Sequence, residues 1–274
     1  MQFNKVIGLG IAGNFAGHLE QAGEAIDFID VEVNDPHQPK ALFPLYVPSE
    51  AESFLSVYPF SHEYIIPPND ADNLQIEPEV ALVCDVEYKD GKVVSLKPIK
   101  FGAFNDCSIR KPNAIKISEK KNWGKQSKGI ASTLFDIDSL DAGTAIDQFR
   151  IASFHKRGNG IARYGEDCQV VDYSYFHQKL LNWIVDRMNN QQDNGPAENI
   201  SEYLSQSNYP QQAIIAIGAT RYTEYGETNF LQSGDTSIVV VYDGEQYSQQ
   251  QIFDMARDEE FAEQGISALV QHVC

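Results

Sequence analysis

A chain of 274 residues, 42% of them hydrophobic, is long enough to bury a sizeable core, as one large domain or two small ones. Its 39 acidic and 21 basic residues give a formal net charge of -18 at pH 7. That balance excludes sequence-independent binding to nucleic acid or to an anionic membrane surface, because no basic stripe is there to neutralise phosphates.

The opening residues Met1–Gly8 lack the extended apolar core of a secretory signal, and no run approaches the length of a membrane span. Cys84, Cys107, Cys168 and Cys274 are scattered without CxxC spacing, so neither a zinc site nor a disulfide framework is expected. A reducing cytoplasm is the expected home.

Residues 5–10 read as a short buried strand, 14–23 as a short helix, and 26–33 as an alternating strand. From about 35 to 75 the chain is rich in Pro, Ser and aromatics and reads as short extended pieces and turns. Strands are expected near 76–88, 92–96 and 99–105, with Asp90-Gly91 as a hairpin signal. Asn159-Gly160 is a second such signal, between Gln148–His155 and Ile161–Val171. Within Tyr175–Asn189, Phe176, Leu180, Leu181, Ile184, Val185 and Met188 recur at helical spacing and predict a core-facing helix. Residues 190–197 read as a loop, and Ala213–Gly218 and Thr236–Tyr242 as late strands. Ser248, with Gln251 three residues on, predicts a capping box at the start of a final helix.

Gly8-Leu9-Gly10-Ile11-Ala12-Gly13 is a literal GxGxxG after a strand, with Asp30 or Glu32 at about the distance of a ribose-binding carboxylate. An NAD(P)-binding oxidoreductase is therefore an alternative reading. Against it, no regular strand–helix alternation continues past residue 35 to build the rest of a dinucleotide sheet.

A different signal lies further on. Glu77 and Glu79 stand two apart in an apolar run, which on a strand puts both carboxylates on one face. Asp106 ends a second short apolar run. Three carboxylates converging from strand ends would make the oxygen-rich site that magnesium, manganese or calcium prefers. Spacing alone favours the plainer reading, in which the glutamates decorate the solvent face of an amphipathic strand.

Taken in order, several segments resemble the fumarylacetoacetate hydrolase superfamily over roughly residues 5–245. Asn14-Phe15-Ala16-Gly17-His18 is similar to that superfamily's early N-Y-x-x-H element, and Phe43–Ser49 to its proline-containing strand. Glu77-Pro78-Glu79-Val80-Ala81-Leu82-Val83 is similar to E-x-E-L-A-V-V, and Asn105-Asp106-Cys107-Ser108-Ile109-Arg110 to N-D-x-S-x-R. Trp123–Gly129 resembles the lysine segment, with Lys128 the better match to its lysine. Ile214–Gly218 and Leu231–Asp235 resemble the late strand and the P-G-D strand.

The resemblance implies an α+β, β-rich fold of mixed rolled sheets with a few short helices. One domain over 1–274 is expected, with 1–70 an N-terminal α/β part and 247–274 a C-terminal helical extension. It also implies a homodimer and one divalent cation, Mg²⁺ with Mn²⁺ or Ca²⁺ as options, on Glu77, Glu79 and Asp106. By the same resemblance His18 would be a general base oriented by Glu20 or Glu24, and Lys128 a charge at a developing oxyanion. Asn14, Arg110 and Thr220 would then contact the substrate, a small 2-oxo or β-diketo acid taken through an enolate.

The chain also departs from the pattern. Gln21 stands where a glutamate usually follows the histidine, Val47 stands at a lysine position, Ile217-Gly218-Ala219-Thr220 replaces T-G-T-P, and Lys111 follows Arg110. A relative that keeps the fold and cation without the chemistry is the alternative these departures suggest.

Overall fold

The computed structural model describes residues 3–28, 35, 37–49, 51–69, 73–110 and 114–274. Its strands are, in chain order, β1 (Ile7–Ala12), β2 (Ala41–Tyr46), β3 (Phe60–Ser61), β4 (Tyr64–Ile65), β5 (Leu74–Gln75), β6 (Pro78–Lys89), β7 (Lys92–Asn105) and β8 (Ser108–Ile109). These are followed by β9 (Lys128–Ile130), β10 (Phe135–Asp136), β11 (Phe149–Arg157), β12 (Gly160–Gln169), β13 (Gln212–Ala216), β14 (Thr236–Asp243) and β15 (Ile266–Val273). Among the described residues five α-helices interrupt them: α1 (His18–Gln21), α2 (His177–Asn190), α3 (Ile200–Gln206), α4 (Glu224–Thr228) and α5 (Gln249–Asp258).

Among the described residues the strands form an eight-stranded mixed sheet in the order β2-β1-β13-β6-β7-β9-β3, with β10 beside β7. A second sheet runs β12-β11-β14-β15-β4, and β5 pairs with β8. The fold is α+β.

Alternation along the strands decides the layers. On β6, Val80, Leu82 and Cys84 join one large core, while Ala81 and Val83 point into another. On β13, Ile215 and Ala213 face the first core and Ile214 and Ala216 the second. The first core lies between the two sheets, where Ile151, Val239, Val241 and Leu269 meet it and Leu180, Ile184 and Met188 of α2 add to it. α5 covers the far face of the second sheet through Ile252 and Ala256, which pack on Phe154, Ile238 and Val240.

The longest hairpin, β6–β7, carries the functional interest. Asp90 and Gly91 both take positive φ (52° and 75°), as the tight two-residue turn requires. The strands expected at 92–96 and 99–105 are one strand, because the register shifts between Val83 and Cys84, opposite Lys100 and Pro98. A bulge there takes in the proline without ending the ladder. The second hairpin turns at Gly158-Asn159, one residue before the expected pair.

Three expectations change. The strand read over 26–33 begins as a 3₁₀ turn at Ala25–Phe28, and residues 29–34, Asp30 and Glu32 among them, lie outside the described residues. The segment 247–274 is helical only over Gln249–Asp258, behind the capping box of Ser248 and Gln251. Ile266–Val273 is instead a strand between β14 and β4, since its β-branched and apolar residues alternate onto the second sheet. Finally, Gly8 and Gly10 are not a phosphate loop. Both lie inside β1, which pairs with β13 in parallel and β2 in antiparallel, and the helix that follows has four residues. A Cβ on Gly10 would run into the Phe43 ring, so this glycine serves close packing within a sheet.

Candidate metal centre

Register brings the three carboxylates together. In the β6–β7 ladder Glu79 is paired with Phe104 and Pro78 with Asn105, and the Asp106 N–H donates to the Glu77 carbonyl at 3.0 Å. Two-residue periodicity then places Glu77, Glu79 and Asp106 on one face. One oxygen from each lies within 4.8 Å of the others, and all three residues are buried. The solvent-face reading of the glutamates is thereby replaced by an internal cluster.

Glu79 is held from behind. Gly218, at φ 114°, turns its N–H onto Glu79 Oε2 at 2.7 Å, a backbone conformation that a side chain would oppose. The remaining oxygens are less well met. Glu77 Oε1 and both Asp106 oxygens are buried without a well-aligned hydrogen bond. Basic groups meet them instead. Lys121 Nζ lies 2.6 Å from Glu77 Oε2 and 2.7 Å from Asp106 Oδ2. Lys128 Nζ lies 3.2 Å from Asp106 Oδ1 and donates to the Cys107 carbonyl. Arg110 Nη1 lies 2.8 Å from both Glu77 Oε1 and Glu24 Oε1. Its Nε donates to Gln75, and its Nη2 to the Tyr222 hydroxyl, which itself donates to the Ile76 carbonyl.

Burial and neighbours pull the carboxyls apart. Burial pushes Glu77 up, but Lys121 and Arg110 together hold it well below the usual carboxylate range. Glu79 goes the other way, pushed up by burial and then by Asp106 and Glu77. Asp106 is also raised, burial outweighing Lys121 and Lys128. Clustered acid oxygens of this kind, two of them on a carboxyl left without good hydrogen bonds, fit a hard divalent cation. Glu77, Glu79 and Asp106 are the residues that would hold it.

Glu77 and Glu79 form one wall of a cavity of about 20 Å³ lined also by His18, Glu24, Phe43, Ile117 and Lys121. That volume accepts one water-sized body. His18 is buried, and its Nδ1 lies 2.9 Å from the Thr220 carbonyl, so Nδ1 carries the proton and Nε2 keeps its lone pair. Burial, helped by Arg110 and Lys121, lowers its pKa to about 4. The imidazole is thus neutral at pH 7.

The other expected site residues sort as follows. Arg110 and Lys128 are in the cluster. Thr220 is beside it through its backbone only, orienting His18 and donating its N–H to Pro78. Asn14 is buried but spent: its amide nitrogen donates to the Tyr175 and Ile217 carbonyls, and its oxygen accepts from the Tyr175 N–H. It pins the turn after β1 rather than presenting itself to a ligand. Glu20 is exposed and makes no hydrogen bond to His18. Glu24 is the glutamate that reaches the pocket, yet Arg110 and Lys120 hold it at 2.8 and 3.3 Å, so a backbone carbonyl orients His18 in place of an acid. Lys120, Lys121 and Tyr222 were not anticipated. A Glu-Lys-Lys-Asn run reads as a solvated charge run, and only its position before Trp123 hints otherwise.

A family profile described as "Family of unknown function (DUF5718)" matches residues 24–273. No curated protein matches. Among solved structures, the chain is similar to Cg1458 solved with an inhibitor, at 14% identity and a TM-score of 0.55, covering 97% of this chain and 76% of that one. It is similar to a 2-keto-3-deoxy-D-arabinonate dehydratase complexed with magnesium and 2,5-dioxopentanoate, at 14% identity and a TM-score of 0.54, covering 97% and 72%. A putative fumarylacetoacetate hydrolase family protein from Yersinia pestis CO92 is similar at 12% identity and a TM-score of 0.52, covering 98% and 94%. At these identities the likeness is one of fold, and the fold is fumarylacetoacetate-hydrolase-like. Among the described residues no helix is long and apolar enough to cross a membrane.

Proposed function

The chain belongs to DUF5718, a family of unknown function, and from its own site we propose a divalent-metal-dependent enzyme that acts on a small 2-oxo or β-diketo acid through an enolate. The observation that carries this reading is the buried triad Glu77, Glu79 and Asp106, two of whose members, Glu77 and Glu79, line a cavity with His18 and Lys121. Mg²⁺ is the expected ion, and when bound it supplies Lewis acidity that lowers the energy of an enolate. Structures of similar fold include a dehydratase complexed with magnesium and a dioxo acid, which supports the same substrate class here.

The protein's own groups do the rest. Glu24, Glu77 and Asp106 are already matched by Arg110, Lys120, Lys121 and Lys128. A dication added to that balance gives the pocket a positive excess, which suits an anionic substrate. Lys128 is wholly buried beside Asp106, and although burial lowers its pKa, the Asp106 carboxylate favours the ammonium that would meet a developing oxyanion. His18 Nε2 has the free lone pair to remove a proton from carbon next to the oxo group, or to return one there. Among the described residues no carboxylate hydrogen-bonds His18 to help it activate a water. Decarboxylation or tautomerisation therefore suits the site better than C–C bond hydrolysis.

Deuterium exchange tests this most simply. In D₂O with Mg²⁺ or Mn²⁺, the protein should catalyse isotope uptake at the carbon next to the oxo group of oxaloacetate or a related acid, followed by NMR. His18→Gln should lose it. A panel of oxo and β-diketo acids showing no exchange above the metal-ion background would contradict the reading. It would favour a non-catalytic relative, which the small cavity also suggests.

A further inference from the structure

A cation entering the triad meets a lysine already seated there. We propose that Lys121 is a tethered competitor for the metal: its ammonium holds Glu77 and Asp106 together, and it must withdraw for a divalent ion to bind. This rests on the metal reading of the same site.

The geometry singles out Lys121. Its Nζ spans two of the three carboxylates, at 2.6 Å from Glu77 and 2.7 Å from Asp106, whose oxygens lie within 4.8 Å of each other and of Glu79. An ion that takes Glu77 Oε2 and Asp106 Oδ2 must displace that amine. Lys128, by contrast, touches Asp106 alone and also donates to a backbone carbonyl, so it sits beside the triad.

The movement belongs to the side chain, because the backbone on both sides is tied down. Before it, Ser118 donates to Glu198 at 2.9 Å, and Lys116 donates to Asp193 and to the Gly195 and Ala197 carbonyls. After it, Asn122 donates to the carbonyls of Leu45 and Val57, both at 3.0 Å. The ammonium already lies over the Phe43 ring, 5.3 Å from its centroid on the same cavity, so that face can keep hold of it as it leaves the carboxylates. Withdrawal would also enlarge a cavity that now holds one water-sized body, so metal entry and access for substrate are coupled through one side chain.

The test is Mn²⁺ binding to EDTA-stripped protein, by calorimetry, for the wild type, Lys121→Met and Lys121→Arg. Lys121→Met should bind Mn²⁺ about tenfold more tightly or better, while its metal-free form melts several degrees lower because two buried carboxylates lose their partner. Lys121→Arg keeps the charge and should bind no more tightly than the wild type. Equal or weaker affinity in a folded Lys121→Met would overturn the proposal. If that variant does not fold without metal, lysine-selective ¹⁵N NMR of the wild type decides. The Lys121 ammonium signal, assigned by its absence in Lys121→Arg, should shift in proportion to bound Mg²⁺. An unmoved signal with Mg²⁺ bound overturns the proposal. Absence of Mn²⁺ binding in both wild type and Lys121→Met is a separate outcome that removes the metal reading and this inference with it.

Discussion

On the proposed reading, His18 is a base by environment rather than by partner. Its Nδ1–H is spent on the Thr220 carbonyl, and burial lowers its pKa to about 4, leaving Nε2 free and unprotonated at neutral pH. Replacing it by Gln should lower kcat by about 10²- to 10⁴-fold, the usual range for a lost general base. Mn²⁺ affinity, measured alongside, should hardly change. Asn14 predicts the opposite division. Asn14→Ala removes three buried hydrogen bonds to backbone and should cost roughly 1–3 kcal/mol in chemical denaturation. Mn²⁺ affinity should again stay near wild type, which a direct metal contact would not allow. Both residues stood in the same sequence element, and sequence could not separate them. Which groups an amide or imidazole meets is decided by residues 161 to 203 positions away.

At the scale of elements, the β6–β7 hairpin explains why the triad lies together, although spacing alone favoured a solvent face and the superfamily resemblance pointed to a metal. Two-residue spacing fixes Glu77 and Glu79 on one face, and the turn chemistry of Asp90-Gly91 sets the register that adds Asp106. The basic half of the site had no such periodicity to announce it. Lys120 and Lys121 arrive on a 3₁₀ turn, Ile117–Lys120, and its end, anchored through Ser118 to Glu198. The GxGxxG signal misled for a related reason. Motif spacing does not say whether glycines form a loop or let a strand approach an aromatic ring. Gly10→Ala should therefore destabilise the protein by about 1–3 kcal/mol through overpacking against Phe43, read as a fall in urea midpoint, with no NAD(P)-dependent stabilisation in either form. The helix at 249–258 was legible from its cap, but the return of the chain as β15 was not, since the pairing partner β14 fixes it.

The whole molecule carries a charge of -18, yet its site pairs acids with bases inside a core. That arrangement has a pH signature. An unfolded histidine takes up a proton near 6.5, whereas folded His18 waits until about 4. Protonation in that window favours the unfolded chain, so His18's contribution to stability is full above 6.5 and is lost as pH falls toward 4. Between pH 7 and 5 the metal-free wild type should lose about 2 kcal/mol more than His18→Gln, by denaturant titration. Equal losses would place the imidazole in water.

Whether Glu77, Glu79 and Asp106 hold a divalent ion for an oxo acid is read from Mn²⁺ titration of EDTA-stripped protein, with and without oxalate as an enolate mimic. One ion per chain, bound more tightly with oxalate and lost in Asp106→Ala while the fold persists, is the expected result. Binding that is absent, or that survives unchanged in Asp106→Ala, would contradict the account.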